Sequence, residues 1–507
     1  MAENFELLFA GLATAVTPYN LMACIIGGIL GIFVGALPGI GAVAGCSLLL
    51  PITYKMNPVA AIIMLAGIYY GNMFGGAYSA ILLNIPGDSP AVVTALEGYP
   101  LTKRGQAGRA LFTANFSSFL GGTIGIICLT IMGPALADIG LKFGPAEMAS
   151  LTFLALTSIG WMLGDDPKKG LIATGIGYII SSIGMDASSA QFRYTFGSIN
   201  LLSGINFIPL VVGMFGFSQV LSLMSEKEKE DDASKYVGKL SIKDSLLSVK
   251  EMLSLIPQII RTAIVGGFIG FLPGAGGTTA SFLSYMMERK INKNRHLMGT
   301  DKGSIQGVSA VEASNNSASV GAFIPLLSLG IPGSSTTAVL LGGLMAWGLK
   351  PGPLLFQQEP EFCWSLIGSM YVGNMVCLIF GLAIIPFLMK LMKVPKNILA
   401  PIITVVCLVG AYADSNSMFD VWVMLVAGII SFLIQKKGIP TTPIILTFVL
   451  GPTFELKVRQ ALEISNCDLT VFIRQPISLF FLLFAAAMCL APVALKLIGK
   501  LRAKKAA

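Results

Sequence analysis

Long apolar runs without a single charge constrain this chain more than any other feature. From Leu7 to Tyr54 there is no Asp, Glu, Lys or Arg, and between Lys55 and Asp88 there is again none. A helix needs about 20 apolar residues to cross the hydrocarbon core of a bilayer. Successive runs of this kind therefore imply a chain that crosses repeatedly. The composition agrees: 54% of residues are hydrophobic and 12% charged, with a mean hydropathy of +0.78. Soluble domains carry about 25% charged residues. A soluble enzyme, a nucleic-acid binder and a secreted disulfide scaffold are excluded. The expected fold class is an all-α polytopic membrane protein of about twelve spans.

The formal net charge of +8 belongs to span ends rather than to a nucleic-acid surface. Lys103 and Arg104, Lys168 and Lys169, and Lys436 and Lys437 flank apolar runs, and the tail holds Lys496, Lys500, Arg502, Lys504 and Lys505 without an acid. Basic segments stay on the cytoplasmic side, so the C-terminus is expected there. The N-terminus has Glu3 and Glu6 and no basic region, so no cleaved signal peptide is expected. The eight cysteines form no CxxC pair and are expected as buried thiols, and His296 sits in a basic run that reads as a solvated loop. A burst of charge within 225–250 divides the chain into a membrane segment 1–224, a polar linker, and a membrane segment 251–507.

The apolar runs are interrupted, and the interruptions recur. Gly35-Ala36-Leu37-Pro38-Gly39-Ile40-Gly41 is followed by Asn84-Ile85-Pro86-Gly87-Asp88-Ser89. In the second segment Gly270-Phe271-Leu272-Pro273-Gly274-Ala275-Gly276 is followed by Gly330-Ile331-Pro332-Gly333-Ser334-Ser335. Two motifs in the same order in both halves indicate an internal duplication. Proline lacks an N–H and should orphan the carbonyl four residues earlier, here those of Val34, Leu82, Ile269 and Ser328. Glycine lets the chain turn, and the next helix starts with free N–H groups. In lipid each unsatisfied group costs several kcal/mol, so such breaks must face protein or a wet cavity. Half-helix carbonyl ends suit a cation and N-terminal ends an anion. Paired broken helices are the sequence sign of a secondary transporter's central site, in halves of inverted topology.

Polar residues gather at these breaks. Glu312 is the one charged residue between Gly303 and Leu349, within Val311-Glu312-Ala313-Ser314-Asn315-Asn316-Ser317-Ala318-Ser319. Amide and hydroxyl groups in a span need a cavity or a partner helix. Ser334, Ser335, Thr336 and Thr337 stand at a helix start, where capping and ligand binding are both open. The first half offers Tyr70, Asn72, Ser79, Asn84, Asp88 and Ser89. Asp88 reads as a cap or as the partner of a coupling cation, and Glu312 as a coupling carboxylate or the structural partner of an amide. Oxygen ligands suit sodium, and N–H and O–H groups suit a carboxylate. The candidate substrate-binding residues are Asn72, Gly39, Gly41, Asn316, Ser317, Gly274, Ser334, Ser335 and Thr336. Gly35, Asn84, Asp88, Gly270, Glu312, Asn315 and Gly330 are the candidates for holding sodium. Arg261 near a helix entrance and Arg193 in a loop or re-entrant stretch supply no obvious anion clamp, so helix N-termini and a co-transported cation are expected to balance the substrate.

In these residues the chain resembles the large membrane subunit of the tripartite tricarboxylate transporters. The resemblance covers almost the whole sequence. It rests on Gly35–Gly41 with Leu50-Pro51, Tyr69-Tyr70-Gly71-Asn72 with Gly75-Gly76, Asn84–Gly87, Glu312–Asn316, Leu329–Gly333, Gly348–Pro353 and Leu450-Gly451-Pro452. The resemblance implies a bacterial inner-membrane permease working with a small four-span membrane subunit and a periplasmic solute-binding protein. It implies uptake of citrate and other di- or tricarboxylates driven by a sodium or proton gradient, without ATP or a cofactor. No GxxxxGK[ST] loop is present. Ala318 stands where the first half has Asn72, which argues against a symmetric pair of ion sites.

Other classes fit less well. A stand-alone ion-coupled exporter or exchanger of the same architecture is the alternative, separable by dependence on a binding protein. A membrane lipid-phosphate transferase would need acid pairs for magnesium, and the adjacent Asp pairs, Asp165-Asp166 and Asp231-Asp232, fall at a span end and in the linker. A passive channel would want a ring of like charges at the breaks.

Overall fold

The computed structural model describes residues 2–37, 40–162, 167–186, 189–225, 246–274, 276–385, 396–488 and 490. Gly39, most of the 225–250 linker, both adjacent Asp pairs and the basic C-terminal tail lie outside the described residues. Among the described residues the fold is all-α apart from a hairpin of two short strands, β1 (Gly184–Met185) and β2 (Phe192–Arg193). The chain is a polytopic membrane protein. Among the described residues, seven helices are long and apolar enough to cross a bilayer, and four shorter apolar helices, Gly41–Thr53, Ser335–Ala346, Ile398–Ala413 and Pro476–Met488, accompany them.

The helices are α1 (Ala2–Ala15), α2 (Pro18–Ala36), α3 (Gly41–Thr53), α4 (Pro58–Leu83), α5 (Ala91–Lys103), α6 (Ala107–Gly140), α7 (Pro145–Met162) and α8 (Pro167–Ser181). After the hairpin, α9 (Phe207–Ser225) contains a π turn at Val212–Phe217. The second half gives α10 (Val249–Phe271), α11 (Gly276–Ile291), α12 (Ile305–Gly321), α13 (Phe323–Leu329), α14 (Ser335–Ala346), α15 (Leu355–Gln358), α16 (Pro360–Ala383), α17 (Lys396–Ser415), α18 (Met418–Lys436), α19 (Thr442–Ile464) and α20 (Val471–Arg474). The apolar helix Pro476–Met488 is α21. Two compact units result, residues 1–138 with 208–432, and residues 139–207 with 433–507.

In the larger unit the helix ends follow from local chemistry. Leu37 and Leu272, each before a proline, leave the helix with φ −79°, ψ 113° and φ −76°, ψ 124°. Proline disfavours the helical region for its predecessor, which is why both helices stop there. Asn84 and Gly330 end α4 and α13 in the left-handed region, with φ 59° and 71°. Glycine adopts it freely and Asn tolerates it. Asn57, Ser304 and Ser334 cap the starts of α4, α12 and α14 with their side-chain oxygens.

The expected orphan carbonyls are corrected here at two positions. The N–H of Leu37 reaches the carbonyl of Val34 at 3.3 Å, and that of Leu272 reaches Ile269 at 3.1 Å. The last turn tightens to i→i+3 bonds and so satisfies groups that the proline would otherwise strand.

Glycines let the interrupted helices touch backbone to backbone. Gly31 and Gly35 of α2 lie on Ile68 and Asn72 of α4, and Gly266 and Gly270 of α10 lie on Ser314 and Ala318 of α12. The reverse faces match: Gly75 meets Ile32, and Gly321 meets Gly267. At the breaks themselves Gly87 packs on the carbonyl of Gly35, Gly333 on that of Gly270, and the N–H of Gly274 donates to Gly333 at 3.2 Å. Two further packings cross between the halves: α5 rests on α11 and α12, and α14 rests on α3 and α4.

In the smaller unit α19 packs on α7 and α8, with the backbone of Gly177 against Ile444. Arg193, expected in a loop or re-entrant stretch, stands on β2 and pairs with Asp186 and with Glu455 at 3.0 Å. Arg459 completes this network.

A Cβ at Gly35 or Gly270 has no room against its neighbour's backbone. Substituting valine at either should cost about 1–3 kcal/mol through overpacking. Thermal unfolding of the purified protein in detergent should show a lower Tm for both variants, and no lowering for Gly175→Ala, where nothing lies within 4 Å.

Candidate functional site

The two breaks of the first half are joined by Asp88. Its Oδ1 accepts the N–H of Ser89 at 2.7 Å, and its Oδ2 accepts Asn72 Nδ2 at 2.8 Å and, at 3.5 Å, the N–H of Ala42 in the first turn of α3. Asp88 thus caps its own turn and also ties α4 to the start of α3. Gly41 faces the same carboxylate and has φ +67°. Asn72 is fully buried, and its Oδ1 has no hydrogen-bond partner.

The second half repeats the position with different chemistry. Ser334 caps α14 through a reciprocal pair with Thr337, and its hydroxyl also bonds Tyr69 of α4 at 3.0 Å. Thr336 is buried in the first turn of α14, and Ser335 is half-buried. Asn315 and Ser317 are buried on α12, and Asn315 Oδ1 and Ser317 Oγ have no partner. Asn315 points at Gly277 in the first turn of α11, beside Pro90, and Ser317 faces Gly267 of α10. Three buried oxygens without partners thus stand at the breaks, where they are able to receive a cation or an N–H or O–H donor.

Other expected residues sit elsewhere. Asn316 Nδ2 donates to the carbonyl of Glu312 at 3.0 Å, so this amide serves its own helix. Asn84 is exposed and ends α4, and Gly330 likewise ends α13. Gly35 and Gly270 contribute close backbone contact, and Gly274 carries φ +79°. Gly39 is outside the described residues. Glu312 is fully buried, and its carboxylate is held by hydroxyls, those of Thr94 of α5 and of Ser118 of α6 at 3.2 Å. The reason is packing: α5 of the first half lies across α12 and supplies the nearer donor. Arg261 forms a two-pronged pair with buried Glu288 at 2.9 Å, which leaves it to α10 and α11 rather than to a substrate.

Sequence reasoning missed Tyr69, whose hydroxyl links the halves, and Glu97, a buried carboxylate on α5 bonded to Tyr285. Glu97 was findable as the one acid in the run Ala91–Leu101.

A sequence profile of the tripartite tricarboxylate transporter TctA family matches residues 21–446. The chain belongs to that family. It is therefore a membrane transporter of the tricarboxylate class. It is 38% identical over 507 residues to an uncharacterised 52.8 kDa protein in the TAR-I ttuC′ 3′ region of Agrobacterium vitis, covering 100% of this chain and 98% of that protein. It is also 37% identical over 240 residues to an uncharacterised protein in the TAR-II ttuC′ 3′ region of the same organism, covering 47% of this chain and 97% of that protein. No solved structure matches the chain.

Replacing Glu312 separates two contributions to the TctA fold. Glu312→Gln keeps an acceptor for Thr94 or Ser118, whereas Glu312→Leu leaves both hydroxyls without it. An unsatisfied buried polar group costs about 1–3 kcal/mol. Thermal unfolding should therefore rank Glu312→Leu clearly below Glu312→Gln.

Proposed function

We propose that this chain is the large permease subunit of a binding-protein-dependent secondary transporter that takes up citrate-like tricarboxylates and dicarboxylates by symport with Na⁺ or H⁺. It would act in a bacterial inner membrane with a small four-span membrane subunit and a periplasmic solute-binding protein, and with its C-terminus in the cytoplasm. One observation carries the reading: in a TctA chain, the interrupted helices of each half meet at their breaks, and Asn72, Asn315 and Ser317 hold unpartnered buried oxygens there.

The chemistry is consistent with an anion carried beside a cation. α3, α5, α11 and α14 all begin at breaks, and each N-terminus favours an anion by about 0.3–1 kcal/mol, more when buried. The amide and hydroxyl oxygens suit sodium, whereas a proton would need a carboxylate such as Asp88 or Glu312. Substrate charge would be balanced by dipoles and a co-transported cation, because Arg261 and Arg193 are engaged by acids.

Duplication of an ancestral half, with about twelve spans in all, belongs to the same proposal. The register supports it: one alignment pairs Gly31 with Gly266 and Gly35 with Gly270, and another pairs Ile68 with Ser314, Asn72 with Ala318 and Gly87 with Gly333, each pair making the equivalent contact. The alternation of access would then exchange the arrangements of the two halves.

The test is uptake of labelled citrate and succinate into proteoliposomes holding this chain and its small subunit. Uptake is expected to need both the binding protein and an imposed Na⁺ or H⁺ gradient, and to fall in Asn72→Ala and Ser334→Ala. Absence of uptake of every carboxylate tested with a saturated binding protein, or uptake indifferent to both gradients, would overturn the reading.

A further inference from the structure

The transport reading makes no use of Glu97, although burying it is costly. Its side chain is fully buried on α5. Oε1 accepts the Tyr285 hydroxyl of α11 and the N–H of Gly299, each at 2.5 Å. Oε2 is buried without a partner at hydrogen-bond geometry, and the backbone N–H of Ser304 is the further donor that faces the carboxylate. Gly307 of α12 leaves just enough room: a Cβ there would meet the Glu97 carboxyl at 2.8 Å. The other ionisable groups around it are few. α11 contributes Tyr285 and Arg289, whose guanidinium is exposed and stands 5.9 Å from the Tyr285 ring centre. α12 contributes Glu312, held by Thr94 one turn earlier on α5. Asp301 and Lys302 in the 292–304 segment are exposed.

The equivalent crossing on the other side shows that the architecture closes without this carboxylate. α14 lies on α3 and α4 as α5 lies on α11 and α12. The alignment that pairs Gly87 with Gly333 sets Glu97 against Gly343, and the one that pairs Gly35 with Gly270 sets Tyr285 against Leu50. Gly343 indeed packs on Leu50, where a Cβ would come within 2.8 Å of Leu50 Cδ1. Thr94 and Glu312 correspond in the same way to Leu340 and Ala66, both fully buried. One crossing is apolar and the other carries carboxylates. Buried charge is weak support for a fold, and inside a membrane it marks ion or proton pathways.

An open cavity lies close to this point. Leu101, Arg104, Gly303, Ser304 and Gln306 line a cavity of about 160 Å³. Gly303 packs on the backbone of Glu97 itself, so the cavity ends one residue layer from the carboxyl.

We propose that Glu97 is a protonation site through which this transporter couples substrate movement to a proton. The inference rests on the transport reading and deepens it by naming where the proton sits. The proton adds to Oε2, converts the carboxylate to the acid, and returns to water when α5 shifts against α11 and α12. No other bond is made or broken.

The test uses the full complex and the variant Glu97→Gln, which keeps the shape and the acceptor for Tyr285. Infrared difference titration of the purified complex should show the C=O stretch of a carboxyl that protonates in the wild type and is missing in Glu97→Gln. In proteoliposomes the variant should retain exchange of internal for external labelled citrate near the wild-type rate, while proton-driven accumulation falls by about tenfold or more. The double variant Glu97→Gly, Tyr285→Leu copies the apolar crossing, guards against a folding failure of the single one, and should behave alike. An unchanged infrared band, unchanged accumulation, or equal loss of exchange and accumulation in both variants would overturn the proposal. A band that vanishes in Glu97→Gln in a wild type that moves no carboxylate would instead contradict the transport reading and uphold the protonation site.

Discussion

A backbone polar group inside a bilayer must find a partner in the protein, and that requirement governs this structure. Four helices of the larger unit, α2, α4, α10 and α13, end just before a Pro-Gly pair. The ends are tolerable because glycines bring the interrupted helices to backbone contact, Gly35 on Asn72 and Gly270 on Ala318. The breaks then pack on each other through Gly87 and Gly333. Tightened last turns, left-handed caps at Asn84 and Gly330, and side-chain caps at Ser304 and Ser334 absorb most of the freed groups. Side-chain oxygens of Asn72, Asn315 and Ser317, buried without a partner, are the ones the proposed function draws on.

The two halves share this scaffold and differ in chemistry. Asp88 links the breaks of the first half, whereas Ser334 occupies the matching place in the second and reaches across to Tyr69. Asn72 has Ala318 as its counterpart, and Glu97 has Gly343. In the proposed function, a duplicated frame would supply the geometry for alternation, and divergence within it would supply separate places for an anion and for a coupling ion.

Much of this was legible in the sequence, for identifiable reasons. The Leu-Pro-Gly and Ile-Pro-Gly breaks are local backbone effects, so Leu37, Leu272 and Gly330 stand where proline and glycine rules put them. The polar residues clustered on Glu312–Ser319 fall on α12, where all of them are buried. What was not legible depends on which helices cross. The partners of Glu312 come from α5 and α6, residues far away in sequence, and no periodicity reports that Thr94 meets it. The same holds for Glu97 with Tyr285 and for Arg193 with Glu455. The carbonyls of Val34 and Ile269 escaped the simple proline rule because the last turn adjusts, which a residue pattern does not record.

The central claim is that the substrate sits at the meeting of the breaks, and thiol protection tests it most directly. Single cysteines at Gly41 and Ser335, in a variant lacking the eight native cysteines, would be labelled with a maleimide in the reconstituted complex. The account predicts that transported carboxylate together with its coupling cation slows labelling at both positions, and that neither alone does so fully. Labelling at both positions that is indifferent to substrate while uptake proceeds would contradict it.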